Sequence, residues 1–239
     1  MGSIHNKYGL GISISTHGSY PSKNYTDPYG YNLKYSKWMT DSINKSFENR
    51  VSLLEENDMV FLSSFLQYLY IEPNISKDLP KYIDHYSDNL KKIDINQSRK
   101  EWVTKVNLMA KRLKKRNINV ILMSPLPVFT GEVNTYPLYL CHEEWFRPFL
   151  NSSCKVYKED KKFLLERLKP LKYELNQLKK DNTNLYIFDL FDKVCPGETC
   201  LTKIGDKVFF TDNNHISYEV SYGASEEFYK FMQENKLIK

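Results

Sequence analysis

The run Phe210-Thr211-Asp212-Asn213-Asn214-His215-Ile216-Ser217 carries the side chains best suited to chemistry in this chain. An imidazole takes a proton from a hydroxyl only when its tautomer is set. A carboxylate on the opposite ring nitrogen sets it and steadies the imidazolium that forms. In a turn at a helix start, residues three apart can face one side, so Asp212 can hold His215. Ser217 is a good N-cap for the helix that follows. The pair reads as the base half of a serine-type acyl-transfer site. The plainer reading is an Asp cap beside an unrelated surface histidine, and an isolated D-x-x-H would leave it ahead. The place of the pair among the chain's elements decides between the two.

Those elements alternate. Leu10-Gly11-Ile12-Ser13-Ile14-Ser15 has strand periodicity, and a turn-rich stretch from His17 to about Tyr31 follows it. Met39, Ile43, Phe47, Val51 and Leu54 recur at helical spacing, and Asp58–Ser63 is a short buried strand. Residues from about Ile71 to Gln97 are polar and irregular. Ser98 and Glu101 form an S-x-x-E capping box for a helix with Trp102, Val106, Met109 and Leu113 on one face. Asn117 can end that helix. The strand Ile118–Met123 comes next and stops at Ser124-Pro125-Leu126-Pro127, before a long loop from Val128 to Cys154. Leu164, Leu168, Leu171, Leu175 and Leu178 mark a long helix that Pro170 should kink or divide. Leu185–Asp189 is a strand, and the chain is helical from Ser217 to about Asn235. Such alternation predicts an α/β fold with a parallel sheet covered by helices on both faces. The long segments follow strand carboxyl ends, where such sheets bind ligands, and Asp212 and His215 follow the last strand. No internal repeat interrupts the pattern, so residues 1–239 read as a single domain.

Composition narrows the partners. The net charge of +5 comes mostly from scattered lysines. The densest basic cluster, Lys114-Lys115-Arg116, closes a predicted helix and complements its dipole. No zinc-finger or RNA-binding signature occurs, so nucleic acid is not an expected partner. No stretch approaches the roughly 20 apolar residues of a membrane helix. Met1–Lys7 has no apolar signal-peptide core, so the chain by itself has no route out of the cytoplasm.

The cysteines point elsewhere. Cys141 and Cys154 flank one loop, and Cys195 and Cys200 flank a shorter one. Neither pair has zinc-ligand spacing, and no metal is expected. Two loop-stapling disulfides, paired in sequence, fit best and imply an oxidising compartment. Three pairings are possible on paper, and four unpaired thiols remain the alternative. Paired cysteines without an export signal are reconciled if the chain is one piece of a longer membrane-tethered polypeptide.

Four features together resemble a known family. They are Thr16-His17-Gly18-Ser19-Tyr20-Pro21 after a strand, Ser124-Pro125-Leu126-Pro127 after another, the Cys141-His142-Glu143-Glu144-Trp145-Phe146-Arg147-Pro148 loop closing at Cys154, and Val194-Cys195 to Cys200 followed by Phe209–Ser217. The order is similar to SGNH-type hydrolase domains (flavodoxin-like parallel sheets) of the branch fused to acyltransferase-3 membrane proteins, over essentially the whole chain. The resemblance implies transfer of acyl groups, typically acetyl, onto cell-surface polysaccharides by serine chemistry, as an O-acyltransferase or carbohydrate esterase. An acyltransferase-3 membrane domain would be the partner, in the same polypeptide or as a separate chain. A carbohydrate would be the acceptor, the location would be periplasmic or the outer side of the inner membrane, and no metal or organic cofactor is implied.

The chain departs from the family pattern at its start. The family opens with a strand ending in Gly-Asp-Ser-His, whose serine is the nucleophile, and no Gly-Asp-Ser occurs here. Gly2-Ser3-Ile4-His5 is a superficial echo with no strand before it to present Ser3 on a strained turn. Asn6-Lys7-Tyr8-Gly9 matches the end of the helix after the nucleophile. The first strand, the nucleophile turn and most of the first helix are therefore expected to be missing. That strand would lie between Leu10–Ser15 and Asp58–Ser63, so its loss would leave two apolar edges unpaired.

The resemblance assigns Gly18 as an oxyanion donor. The usual Asn donor is not evident at Leu62-Ser63-Ser64-Phe65, where Ser63 or Ser64 could replace it. Trp145 and Arg147 are weaker substrate-binding candidates, with Tyr136 and Tyr139 as further aromatics for sugar stacking. Asp189 and Asp192 read first as caps. The competing functional reading is a non-catalytic remnant that binds glycans or a partner through the fold's loops.

Overall fold

The computed structural model describes residues 37–63, 95–129, 156–205, 207–210 and 215–238. The expected strand at Leu10–Ser15 and most of the Val128–Cys154 loop lie outside them. In chain order the described elements begin with α1 (Lys37–Ser52), β1 (Met59–Leu62), α2 (Ile95–Lys114), β2 (Asn119–Met123), β3 (Lys158–Asp160) and α3 (Lys161–Asp181). They continue with β4 (Leu185–Phe188), α4 (Phe191–Val194), β5 (Thr199–Leu201), β6 (Lys203–Ile204), β7 (Lys207–Val208) and α5 (Tyr218–Glu234).

β1, β2 and β4 form a parallel sheet in that order, with Val60 opposite Val120 and Leu122 opposite Ile187. Alternate residues serve opposite layers, as strand pleating requires. Val60, Leu62, Val120, Leu122, Leu185 and Ile187 meet Val51 of α1, Trp102, Val106 and Leu113 of α2, and Leu171, Leu175 and Leu178 of α3. Met59, Phe61, Ile121, Tyr186 and Phe188 meet Phe228 and Met232 of α5 and Leu237 beyond it. Phe228 packs edge-on against both Phe61 and Phe188, with ring centroids 5.0 and 4.9 Å apart. The result is the expected α/β sandwich with helices on both faces.

Helix ends follow local rules. Asn117 is left-handed, with φ 52°. Its N–H donates to the Lys114 carbonyl, and the Ile118 N–H reaches back to Leu113. That is a Schellman stop in which Asn replaces glycine, closed by apolar contact at both ends. Leu113 and Ile118 are both wholly buried. The buried Asn184 side chain then ties this corner to β4, donating to the Ala110 and Ile118 carbonyls at 3.0 and 2.9 Å.

Two expectations need correction. The capping box at Ser98 and Glu101 does not open α2, which starts at Ile95 and places both residues inside the helix. The S-x-x-E spacing is compatible with a helix interior as well as with its start, so the motif alone does not set the boundary. Pro170 does not divide α3, which runs unbroken from Lys161 to Asp181. Proline costs roughly 3 kcal/mol inside a helix. The buried stripe of Leu164, Leu168, Leu171, Leu175 and Leu178 outweighs that, at about 1.5–3 kcal/mol per side chain. The short strands were not legible from periodicity. β3 pairs antiparallel with β5, and β6 with β7, the latter turning at Gly205 with φ 57°.

Candidate active site

The carboxyl ends of the three parallel strands mark where a ligand would sit. β1 runs out at Ser63, β2 at Ser124 and β4 at Asp189. Ser124 is buried, and its N–H donates to the Phe188 carbonyl at 2.7 Å, extending the β2–β4 ladder. Ser63 is exposed and its hydroxyl donates to Met123 Sδ at 3.3 Å. It stands at the right edge of the sheet, with its proton directed at the neighbouring strand.

His215 is tied to the exit of β2 through a chain of contacts. The segment leaving β2 runs through Pro125, Leu126 and Pro127 to Phe129, which is fully buried. Phe129 packs edge-on against Phe210, centroids 5.1 Å apart. Phe210 forms an antiparallel bridge with Ile216, and the Ser217 N–H donates to the Phe209 carbonyl at 2.8 Å. These bonds draw together the two ends of the run that contains Asp212 and His215. His215 is exposed at the end of that run. Ser217 is buried and caps α5, its Oγ accepting from the Val220 N–H at 3.2 Å. The histidine therefore stands at the positive end of the α5 dipole, which favours nearby negative charge.

Thr202 anchors this turn from behind, a role not readable from sequence. It is wholly buried. Its carbonyl accepts from the N–H groups of Phe209 and Phe210, and its Oγ1 accepts from the Tyr157 N–H at 3.0 Å. Next to it Cys195 and Cys200 form a disulfide with Cα atoms 4.7 Å apart. Lys161 braces the same hairpin, donating to the Cys195 carbonyl at 2.9 Å and pairing with Asp192 at 2.8 Å. That hydrogen bond holds the Asp192 carboxyl below the usual range, against slight burial and with help from the charges of Lys161 and Lys172.

Asp189 is engaged in structure. One oxygen accepts from the Phe191 N–H at 2.9 Å and the other pairs with Lys172 at 3.1 Å. Arg167 carries three buried nitrogens with no hydrogen-bond partner among the described residues, and its guanidinium lies 5.4 Å from the Phe163 ring centroid. Burial lowers its pKa against the pull of Glu159. Among the described residues no group of three His, Cys, Asp or Glu side chains could hold a metal.

Of the residues singled out from sequence, the structure brings His215, Cys195 and Cys200 into one neighbourhood through Thr202, and places Ser63 at the strand ends. Asp212, Gly18, Ser64, Trp145, Arg147, Cys141 and Cys154 lie outside the described residues. Phe129 and Phe210 were missed as site-builders because nothing in their local sequence marks them as partners.

A parallel sheet covered by helices on both faces, with a histidine just before the last helix, defines an α/β domain. A model of the SGNH domain (fused to AT3 domains) matches residues 3–230. The chain belongs to that family, whose members join such a domain to an AT3 domain. Comparison with curated proteins and with solved structures returns no match. Among the described residues no helix is long and apolar enough to cross a membrane.

Proposed function

We propose that this chain is a single SGNH-type domain supplying the base half of an O-acyltransferase or esterase site for carbohydrate esters on the outer side of a membrane. An acyltransferase-3 domain is its partner. His215 is the base and Asp212 its orienter, with Gly18 donating to the oxyanion. The observation that supports this best is the position of His215, exposed immediately before Ile216 of the Phe210–Ile216 bridge and three residues before the Ser217-capped helix α5.

The chemistry follows from that arrangement. His215 takes the proton of a serine hydroxyl as the oxygen bonds to the ester carbonyl carbon. The tetrahedral oxyanion rests on N–H donors, and His215 returns the proton to the departing alcohol. A carbohydrate hydroxyl, or water, then takes the acyl group by the reverse path. The serine is not supplied by a Gly-Asp-Ser within these 239 residues. Loss of one oxyanion donor costs about 10²–10³ in rate, so the identity of the third donor, at Ser63 or Ser64, bears on turnover.

The test joins this chain to a strand and turn bearing Gly-Asp-Ser and measures acyl transfer to an oligosaccharide. His215→Ala then lowers transfer by about 10³-fold or more. Unchanged transfer in that variant sinks the assignment. The lack of Gly-Asp-Ser favours one other reading, a binding module without turnover. That reading predicts no transfer from the joined polypeptide while glycan binding persists.

A further inference from the structure

Helix α5 starts three residues after His215, and its first turns expose an unusual face. Tyr218 is 80% exposed and Tyr222 is 53% exposed. Their rings lie 6.3 Å apart and tilted by 35°. Neither phenol makes a hydrogen bond among the described residues. At 3.6 residues per turn, Tyr218, Glu219, Tyr222, Gly223 and Glu226 share an arc of about 140°, while Val220, Phe228 and Met232 occupy the buried side.

Gly223 is a second, independent oddity on the same arc. It sits inside a helix, where glycine costs about 0.5–1 kcal/mol relative to alanine. A Cβ built there meets nothing within 4 Å among the described residues, and its φ is not in the left-handed region. Among the described residues neither packing nor backbone conformation calls for glycine. Two water-exposed phenols beside a missing side chain make a surface with room for another molecule.

We propose that Tyr218, Tyr222 and the bare backbone at Gly223 form a subsite for a pyranose ring of a neutral glycan, adjacent to His215. A sugar ring offers an apolar C–H face and a rim of hydroxyls. Tyrosine suits both, with an apolar ring and a polar tip. Glu219 accepts from hydroxyls and repels an anionic chain, which sets the preference for neutral sugars. Its role in catalysis rests on the acyl-transfer reading above: the ring bearing the reacting hydroxyl is held at the His215 end of the helix. The subsite itself does not depend on that reading.

The experiment measures binding of cellotetraose, chitotetraose and mannotetraose to the 239-residue chain by saturation-transfer NMR and tyrosine fluorescence. Tyr218→Ala with Tyr222→Ala weakens binding by about tenfold, and the double Phe variant stays within about threefold. Gly223→Leu keeps or raises Tm, because leucine is the better helix former, yet weakens binding. A purely structural role for this face would not separate those two readouts. The proposal is overturned if the parent chain binds none of the three sugars, if the folded double Ala variant binds as the parent does, or if Gly223→Leu leaves binding unchanged. Transfer that survives His215→Ala, with binding still lost in the tyrosine variants, would sink the base assignment and leave the subsite standing.

Discussion

The rings of Phe129 and Phe210 meet edge-on at 5.1 Å between centroids, and both side chains are fully buried. Phe129 belongs to the segment leaving β2. Phe210 is one side of the bridge whose other side, Ile216, follows His215 directly. The contact thus couples the carboxyl edge of the sheet to the histidine turn. Truncating either ring should cost about 3–5 kcal/mol. Phe210→Ala is expected to lower the urea midpoint strongly, and Phe210→Leu to shift the His215 ring resonances while keeping the fold. An unshifted His215 in folded Phe210→Leu would show that this contact does not position the turn.

Hydrolysis of p-nitrophenyl acetate by the 239-residue chain should stay near the buffer rate. A histidine without its serine nucleophile retains little of the triad's acceleration. His215→Ala should leave that low rate unchanged. Turnover abolished both by His215→Ala and by replacement of one serine would identify a nucleophile within the chain.

The Cys195–Cys200 bridge closes a short loop, at a sequence separation of 5. The chain-entropy model assigns a loop of this size about 2 kcal/mol. Dithiothreitol, or Cys195→Ala with Cys200→Ala, should lower the denaturation midpoint accordingly, and non-reducing peptide mapping should recover the linked pair. The same mapping tests Cys141 with Cys154. A midpoint indifferent to reductant would show that Thr202 and Lys161 hold the hairpin without help.

Pro170 lies on the exposed side of α3, where its ring denies the Glu166 carbonyl a helical N–H partner. Pro170→Ala restores that bond and removes a penalty of roughly 3 kcal/mol, part of which reappears as greater freedom of the unfolded chain. Tm should rise by several degrees, at about 2–4 °C per kcal/mol for a chain of this size. A fall in Tm would mean that the helix is shaped around the proline.

Asp192 has a carboxyl pKa lowered mainly by its hydrogen bond from Lys161. A depressed folded pKa adds stability that is fully present above the unfolded value, about 3.9, and is lost as pH falls through the folded one. The side chain is 84% exposed, so screening keeps the effect under about 1 kcal/mol. Asp192→Asn should destabilise slightly near neutral pH and match the parent in strong acid. A gap between the two that widens on acidification would contradict the sign.

Much of this protein is written in short stretches of sequence. The leucine spacing of α3, the short apolar runs of β1, β2 and β4, the Asn117 stop and the Ser217 cap each arise within a few residues, because helix periods, apolar runs and caps are local properties. The D-x-x-H run, together with its place after the last parallel strand, was enough to nominate His215. Other features depended on contacts between distant segments. Pro170 sits in an unbroken helix because Leu171, Leu175 and Leu178 find a core built by α2, β2 and β4, while Leu164 and Leu168 find one built around Phe129, Phe191 and Phe210. Ser98 lies inside α2 because the helix extends back to Ile95, which a four-residue motif could not reveal. Phe129 finds Phe210, and Thr202 receives both Phe209 and Phe210, across separations at which sequence carries no periodic signal. The surroundings of His215 were therefore decided by packing: an imidazole's neighbours are set by whichever buried side chains fill the space beneath its turn, and those come from three separate parts of the chain.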